Sequence, residues 1–172
     1  MTPQDVIDEP ATLASGAPAA KIVPDGEGTM RYSVPGETLC FKARGDDTGG
    51  AFDYFVLETP ARSGPPLHTH CKQHEALHFL KGRYKVQVGD DLFVCEEGTF
   101  VYIPPGMKHA WVNLSDEPGL CIATFVPGHT DRFFAAFGPA IRSSEGPPDP
   151  AVVEPIFAAA DWELNGPPLS AD

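Results

Sequence analysis

An all-β fold, either sandwich or barrel, is expected of this chain on two observations. Short runs rich in Val, Ile, Tyr, Phe and Thr are separated by Gly, Pro and Asp clusters at intervals of roughly ten residues. The chain has 172 residues, 42% of them hydrophobic, which is enough to bury one sizeable core and short for two. A single barrel domain with tails is the expected organisation.

Residues 1–20, rich in Ala and Pro, read as a flexible N-terminal arm. The barrel domain is expected over 21–140. Its strands are read in "MRYSV", "TLCFKAR", "AFDYFVLETP", "PLHTH", "EALHFLKG", "RYKVQVGD", "DLFVCEEG", "TFVYIP", "HAWVNLS" and "GLCIATFVP". The turns "VGDD", "EEG" and "PPG" punctuate them. In "TDRFFAAFGPAI", Thr130 or Asp131 can cap a short helix near 130–137 whose apolar face is Phe133, Phe134 and Phe137. Gly138-Pro139 is expected to end it, and the helix to pack as a lid on one barrel face. Residues 141–172 read as an irregular, Pro-rich C-terminal tail, in which Phe157 and Trp162 dock on something apolar.

Twelve basic against twenty-four acidic residues give a net charge of −12. Such a surface repels nucleic acid and anionic membrane, so neither is expected as a partner. With no basic, apolar leader at the start and no run of membrane-spanning length, a cytoplasmic location is expected. Cys40, Cys71, Cys95 and Cys121 are widely spaced and form no C-x-x-C pair, so four reduced thiols are expected. Cys71 adjoins His70, but neighbours in an extended segment face opposite ways, which makes it a loop or packing residue rather than a ligand.

The segment "HTHCKQHEALHFLKG", residues 68–82, holds four of the six histidines and a glutamate. Residues i and i+2 of a strand share a face, so His68 and His70 aim both imidazoles at one point. An isolated H-x-H is more often incidental than a metal site. Glu75 lies at an odd offset from His70, so the chain must turn between them for its carboxylate to face the same point. His74 then falls in the turn and His78 on the outer face. A second segment, "GTFVYIPPGMKHAWVN", offers a strand, a Pro-Pro-Gly turn and His109 entering the next strand. Three imidazoles and a carboxylate suit one divalent transition metal, whether Fe, Mn, Co, Ni, Cu or Zn, and can leave coordination positions open.

These two segments resemble the two motifs of the cupin superfamily. HXH(X)4E(X)6G is met by His68, His70, Glu75 and Gly82, and G(X)5PXG(X)2H(X)3N by Gly98, Pro104, Gly106, His109 and Asn113. Fifteen residues separate Gly82 from Gly98, close to the short inter-motif length of single-domain cupins. The first motif usually opens with a glycine where this chain has Arg62, a departure that touches the loop and not the ligands. Arg62 either reaches substrate at the barrel mouth or lies on the surface. The flanks "RGDDTGGAFDYFVLETP" and "FVPGHTDRFFAAFG" resemble the quercetin 2,3-dioxygenase-like group of single-domain cupins.

The resemblance implies a jelly-roll-like antiparallel β-barrel with a short C-terminal helix, in which His68, His70, Glu75 and His109 hold one metal ion. It implies a dioxygenase that joins a small hydroxylated aromatic or enol to O2, with Glu75 as both ligand and general base. Two alternatives stay open: a non-oxidative isomerase or lyase using the same groups, and a non-catalytic cupin that binds a small ligand. A homodimer is expected on the same ground, with "MRYSV" and "TLCFKAR" as strands exchanged between barrels. Side chains in phase with the ligands point inward, which makes Leu77, Phe79 and Trp111, together with Phe52 and Tyr54, the expected substrate wall. Each of these five reads equally as barrel core.

Overall fold

The computed structural model describes residues 20–28, 30–34, 36–142 and 149–172. The expected arm at 1–20 therefore lies, but for its last residue, outside the described residues. The elements are β1 (Met30–Val34), β2 (Glu37–Ala43), α1 (Gly45–Thr48), β3 (Asp53–Thr59), β4 (Pro66–His70), β5 (His74–Lys81), β6 (Tyr84–Val88) and β7 (Asp91–Cys95). There follow β8 (Phe100–Ile103), β9 (His109–Asn113), β10 (Gly119–Val126), α2 (Asp131–Arg142), α3 (Pro150–Ala159) and β11 (Trp162–Pro168). All ten expected strands are present. Among the described residues no helix is long and apolar enough to cross a membrane.

The strands form two antiparallel sheets, one in the order β1-β2-β3-β10-β5-β8 and the other β11-β4-β9-β6-β7. Alternation makes each sheet one-sided. In β2 the inward side chains are Glu37, Leu39 and Phe41, and in β5 they are Glu75, Leu77 and Phe79. Between the sheets Phe41, Phe55, Leu57, Leu77, Phe79, Tyr84, Val86 and Ile103 form a core that solvent barely reaches. β1 and β2 pair within the chain's own sheet, Tyr32 opposite Leu39.

β3 runs in the opposite phase to the one expected. Asp53, Phe55, Leu57 and Thr59 face inward, Tyr54 faces out and is half-buried, and Phe52 precedes the strand at 39% exposed. The cause is the buried carboxylate of Asp53. It accepts hydrogen bonds from Gly45 N at 2.5 Å and from Thr130 N and Oγ1, both at 2.6 Å. Three donors satisfy a charge that would otherwise be costly to bury, and a one-residue choice of register then turns every later side chain over.

Two differences concern the C-terminal third. Thr130 gives its hydroxyl to Asp53 rather than capping α2, and α2 continues through Pro139 to Arg142. A proline in the last turn deletes one amide donor, while Phe137 and Ile141 keep that turn packed on the core. The C-terminal segment also carries more regular structure than its prolines lead one to expect. Asp149 Oδ1 caps α3 by accepting from Ala151 N at 2.9 Å, with Pro150 at the first helical position. β11 adds to the edge of β4, the kind of position where a strand tolerates Pro167 and Pro168.

Candidate metal centre and ligand cavity

β4 delivers His68 and His70, a three-residue turn reverses the chain, and β5 delivers Glu75 on its inner face. β9 brings His109 directly opposite His68. One nitrogen or oxygen from each of the four lies within 4.8 Å of the others, and all four residues are buried. His74 and His78 are both exposed, the former 2.7 Å from the Tyr102 hydroxyl.

Backbone carbonyls set how the imidazoles are aimed. His68 Nδ1 is 2.7 Å from the Pro66 oxygen and His109 Nδ1 is 2.8 Å from the Met107 oxygen. A carbonyl only accepts, so each Nδ1 carries the proton and each Nε2 turns a lone pair inward. Glu75 Oε2 stands 2.9 Å from His109 Nε2 and 3.4 Å from His70 Nδ1. Even so, Glu75 Oε2, His109 Nε2 and both nitrogens of His70 are buried without a hydrogen-bond partner. With the His109 proton on Nδ1, the short contact to Glu75 sets lone pair against lone pair.

Unpartnered acceptors at this depth are costly, and a cation at their centre removes the cost. Burial pushes the His68 imidazolium down to about 3, with the neighbouring His109 adding to the effect. His70 is driven well below its ordinary value, first by burial and then by His68 and His109. Both rings are thereby held in the neutral form that ligates metal. The donor set, three imidazoles and a carboxylate, fits one divalent transition metal.

The cluster opens on a cavity of about 710 Å³, a size suited to a small organic ligand. The barrel contributes Glu37, Phe55, Leu57 and Trp111 to its wall; α2, α3 and β11 contribute Phe133, Phe134, Val153, Phe157 and Trp162. The Trp162 ring lies 4.1 Å from His70 and 4.1 Å from Phe133, and its Nε1 donates to Gln73 Oε1 at 2.5 Å. Trp111 Nε1 donates to Glu37 Oε1 at 2.8 Å. Burial pushes the Glu37 carboxyl up to about 8, opposed by the indole bond and aided by the charge of Glu75.

Of the expected site residues, His68, His70, Glu75 and His109 come together, and Trp111 lines the cavity. Leu77 and Phe79 are fully buried in the core beneath the cavity and are not part of its wall. Phe52 and Tyr54 are replaced on the wall by Phe55 and Leu57, the consequence of the β3 phase. Glu37 was readable from its alternation with Leu39 and Phe41. Arg62 lies on the surface, paired with Asp116 at 2.8 Å, and its φ of 57° lies in the left-handed region that favours glycine. The motif residue Asn113 has a framework role: its Nδ2 donates to the Thr59 and Glu117 carbonyls, and its Oδ1 accepts from Ser115 N.

Residues 55–125 match the family model described as "Cupin domain". The chain is 26% identical over 123 residues to quercetin 2,3-dioxygenase of Bacillus subtilis. That match takes in 72% of this chain and 36% of the relative, so the chain spans about a third of the relative's length. Among solved structures, an RmlC-like cupin from Shewanella frigidimarina superposes with a TM-score of 0.56 at 18% identity, covering 67% of this chain and 99% of that one. KdgF from Halomonas sp. gives 0.54 at 15% identity, over 60% and 91% of the two chains. Oxalate decarboxylase OxdC of B. subtilis gives 0.52 at 19%, over 59% and 28%. At these identities the three structures establish the shape of the barrel alone.

Proposed function

Since the barrel is a cupin, we propose that this chain is a metal-dependent dioxygenase acting on a small hydroxylated aromatic or enol with O2. The observation that carries the reading is the convergence of His68, His70, Glu75 and His109 beside a largely apolar cavity, with buried atoms of His70, Glu75 and His109 left unpartnered there. The matched relative, a quercetin 2,3-dioxygenase, supports the choice of reaction.

His68, His70, Glu75 and His109 would hold the metal, which supplies Lewis acidity toward a substrate oxygen and a centre at which O2 can react. Glu75 Oε2, which has no hydrogen bond, is the atom that accepts the proton of the substrate hydroxyl. Trp111, Phe55, Phe133 and Trp162 flank a flat ring and keep water from the reacting end. A homodimer accompanies this proposal. Leu92, Phe93 and Val94 of the edge strand β7 are each more than half exposed, an apolar surface that a second copy would cover and that sedimentation velocity would report.

The test is elemental analysis of the purified protein, followed by oxygen-electrode assays after loading with Fe, Mn, Co or Ni and addition of flavonols and catechols. O2 uptake that requires metal, substrate and an intact His109 is the expected result. Stoichiometric metal without uptake would overturn the oxidative reading in favour of an isomerase, a lyase or a ligand-binding cupin.

A further inference from the structure

Glu37 belongs neither to the four-residue cluster nor to residues 55–125, yet it faces the same cavity as His68, His70 and Glu75. The residue is 7% exposed, and its carboxyl oxygen Oε1 is fixed by the Trp111 indole. Among the described residues its side chain has no other hydrogen-bond partner. Around it the wall is Leu39, Phe55, Leu57 and Trp111, so Oε2 is a lone polar atom presented to apolar space. A carboxyl has room for several hydrogen bonds, and a buried one left with a single bond is destabilising.

The charge of the wall is one-sided. Its ionisable residues besides the histidines are Glu37, Glu75, Glu154 and Glu163, and neither Lys nor Arg lines it. A ligand bearing an anionic group away from the metal would find no counter-ion there.

We infer that the cavity takes an uncharged, mostly apolar molecule carrying a hydrogen-bonding oxygen or nitrogen besides the group that faces the metal, and that Glu37, aimed by Trp111, binds that oxygen or nitrogen. The inference deepens the reading of the cavity as the ligand site, and it stands whether or not the reaction consumes O2. The same burial that holds the Glu37 carboxyl near 8 keeps it largely protonated at neutral pH, so that Oε2 offers a proton to an acceptor such as a carbonyl.

Two fluorescent probes test this on the zinc-loaded full chain. Prodan is uncharged and carries one carbonyl, whose emission moves to the red when it accepts a hydrogen bond; 8-anilinonaphthalene-1-sulfonate is of similar size but anionic. Wild type should bind prodan at least about tenfold more tightly than the sulfonate, the scale of one uncompensated buried polar group. Glu37→Leu should weaken prodan by about five- to tenfold, the equivalent of one hydrogen bond, and shift its emission to the blue at unchanged zinc content. Glu37→Gln, whose amide can still accept from Trp111 and donate to the probe, should keep affinity within about twofold of wild type and retain the red emission. Equal affinity for the two probes, or no prodan binding, would overturn the ligand class. An unchanged affinity and emission in Glu37→Leu would overturn the role of Glu37. Failure of the dioxygenase proposal alone would leave all three results in place and show only in the oxygen electrode.

Discussion

At one end of the cavity His68, His70, Glu75 and His109 stand on three barrel strands and present nitrogen and oxygen. On another part of its wall, the apolar end, Phe133, Phe134, Val153 and Phe157 stand on two helices outside residues 55–125 and present carbon. The polar end is fixed by strand register and by backbone carbonyls that orient the rings. The apolar end is fixed by ring packing, with Phe133 lying 5.0 Å from Phe157 and 4.1 Å from Trp162. The cluster able to hold a metal and the helical part of the cavity wall therefore rest on separate stretches of chain, and a substitution can damage one and spare the other.

The strongest break in this comparison is His109→Ala. It removes one of the four proposed ligands and should lower metal affinity by about a hundredfold or more, above the 10–100-fold that loss of a mere supporting contact costs. Elemental analysis after dialysis against a chelator reads it, and the aromatic end should remain folded by near-UV circular dichroism.

Trp162→Ala is the complementary cut. A buried indole packed on His70, Phe125 and Phe133 is lost, and stability should fall by about 3–5 kcal/mol in urea denaturation. Metal stoichiometry at saturating zinc should stay at wild-type level; its loss would show that the two ends are one unit.

The pH dependence of the metal-free protein adds a second contrast, because Glu37 on β2 and the histidines of the cluster respond in opposite directions. Glu37, raised to about 8, folds preferentially as the neutral acid, so its contribution is full below pH 4.5 and is lost as pH rises toward 8. His68, lowered to about 3, folds preferentially as the neutral base, so its contribution is full above pH 6.5 and is lost as pH falls toward 3. His70 acts in the same sense as His68. Urea midpoints across this range should therefore decline on both sides of a maximum, and Glu37→Gln should flatten the alkaline side alone.

The smallest effect expected is that of Arg62→Gly. Relief of a left-handed non-glycine residue, about 1 kcal/mol, offsets loss of an exposed ion pair with Asp116 worth up to about 1 kcal/mol. Stability and metal content should both stay near wild type, which the same urea titration and metal analysis would verify.

The polar end was legible in the sequence because its spacings translate directly into directions. A period of two aims His68 and His70 together, and one turn returns Glu75 to the same face. "FDYFVL" was not legible, since Phe52, Tyr54 and Val56 offer as apolar a face as Phe55 and Leu57. The phase is decided by Asp53 meeting Thr130, a partner 77 residues away. β11 was hidden for the same reason, its pairing with β4 having no local signature. α3 did have one, in Asp149-Pro150, an N-cap followed by a proline suited to a first helical turn.

The pairing of β11 with β4 also bears on the order in which the molecule is made. Trp162 meets Gln73, the residue that leads into Glu75, across 89 positions of sequence. At ordinary elongation rates of about 5–20 residues per second, the strand bearing His68 and His70 waits roughly 4–18 s for the chain that covers its outer edge. For that interval the backbone edge of β4 that β11 takes up has no partner from the C-terminal segment, although Glu75 and His109 have already been made. The cluster of His68, His70, Glu75 and His109 is thus made before the strand that closes the edge beside it, and the last covering of that edge is left to the final residues of the chain.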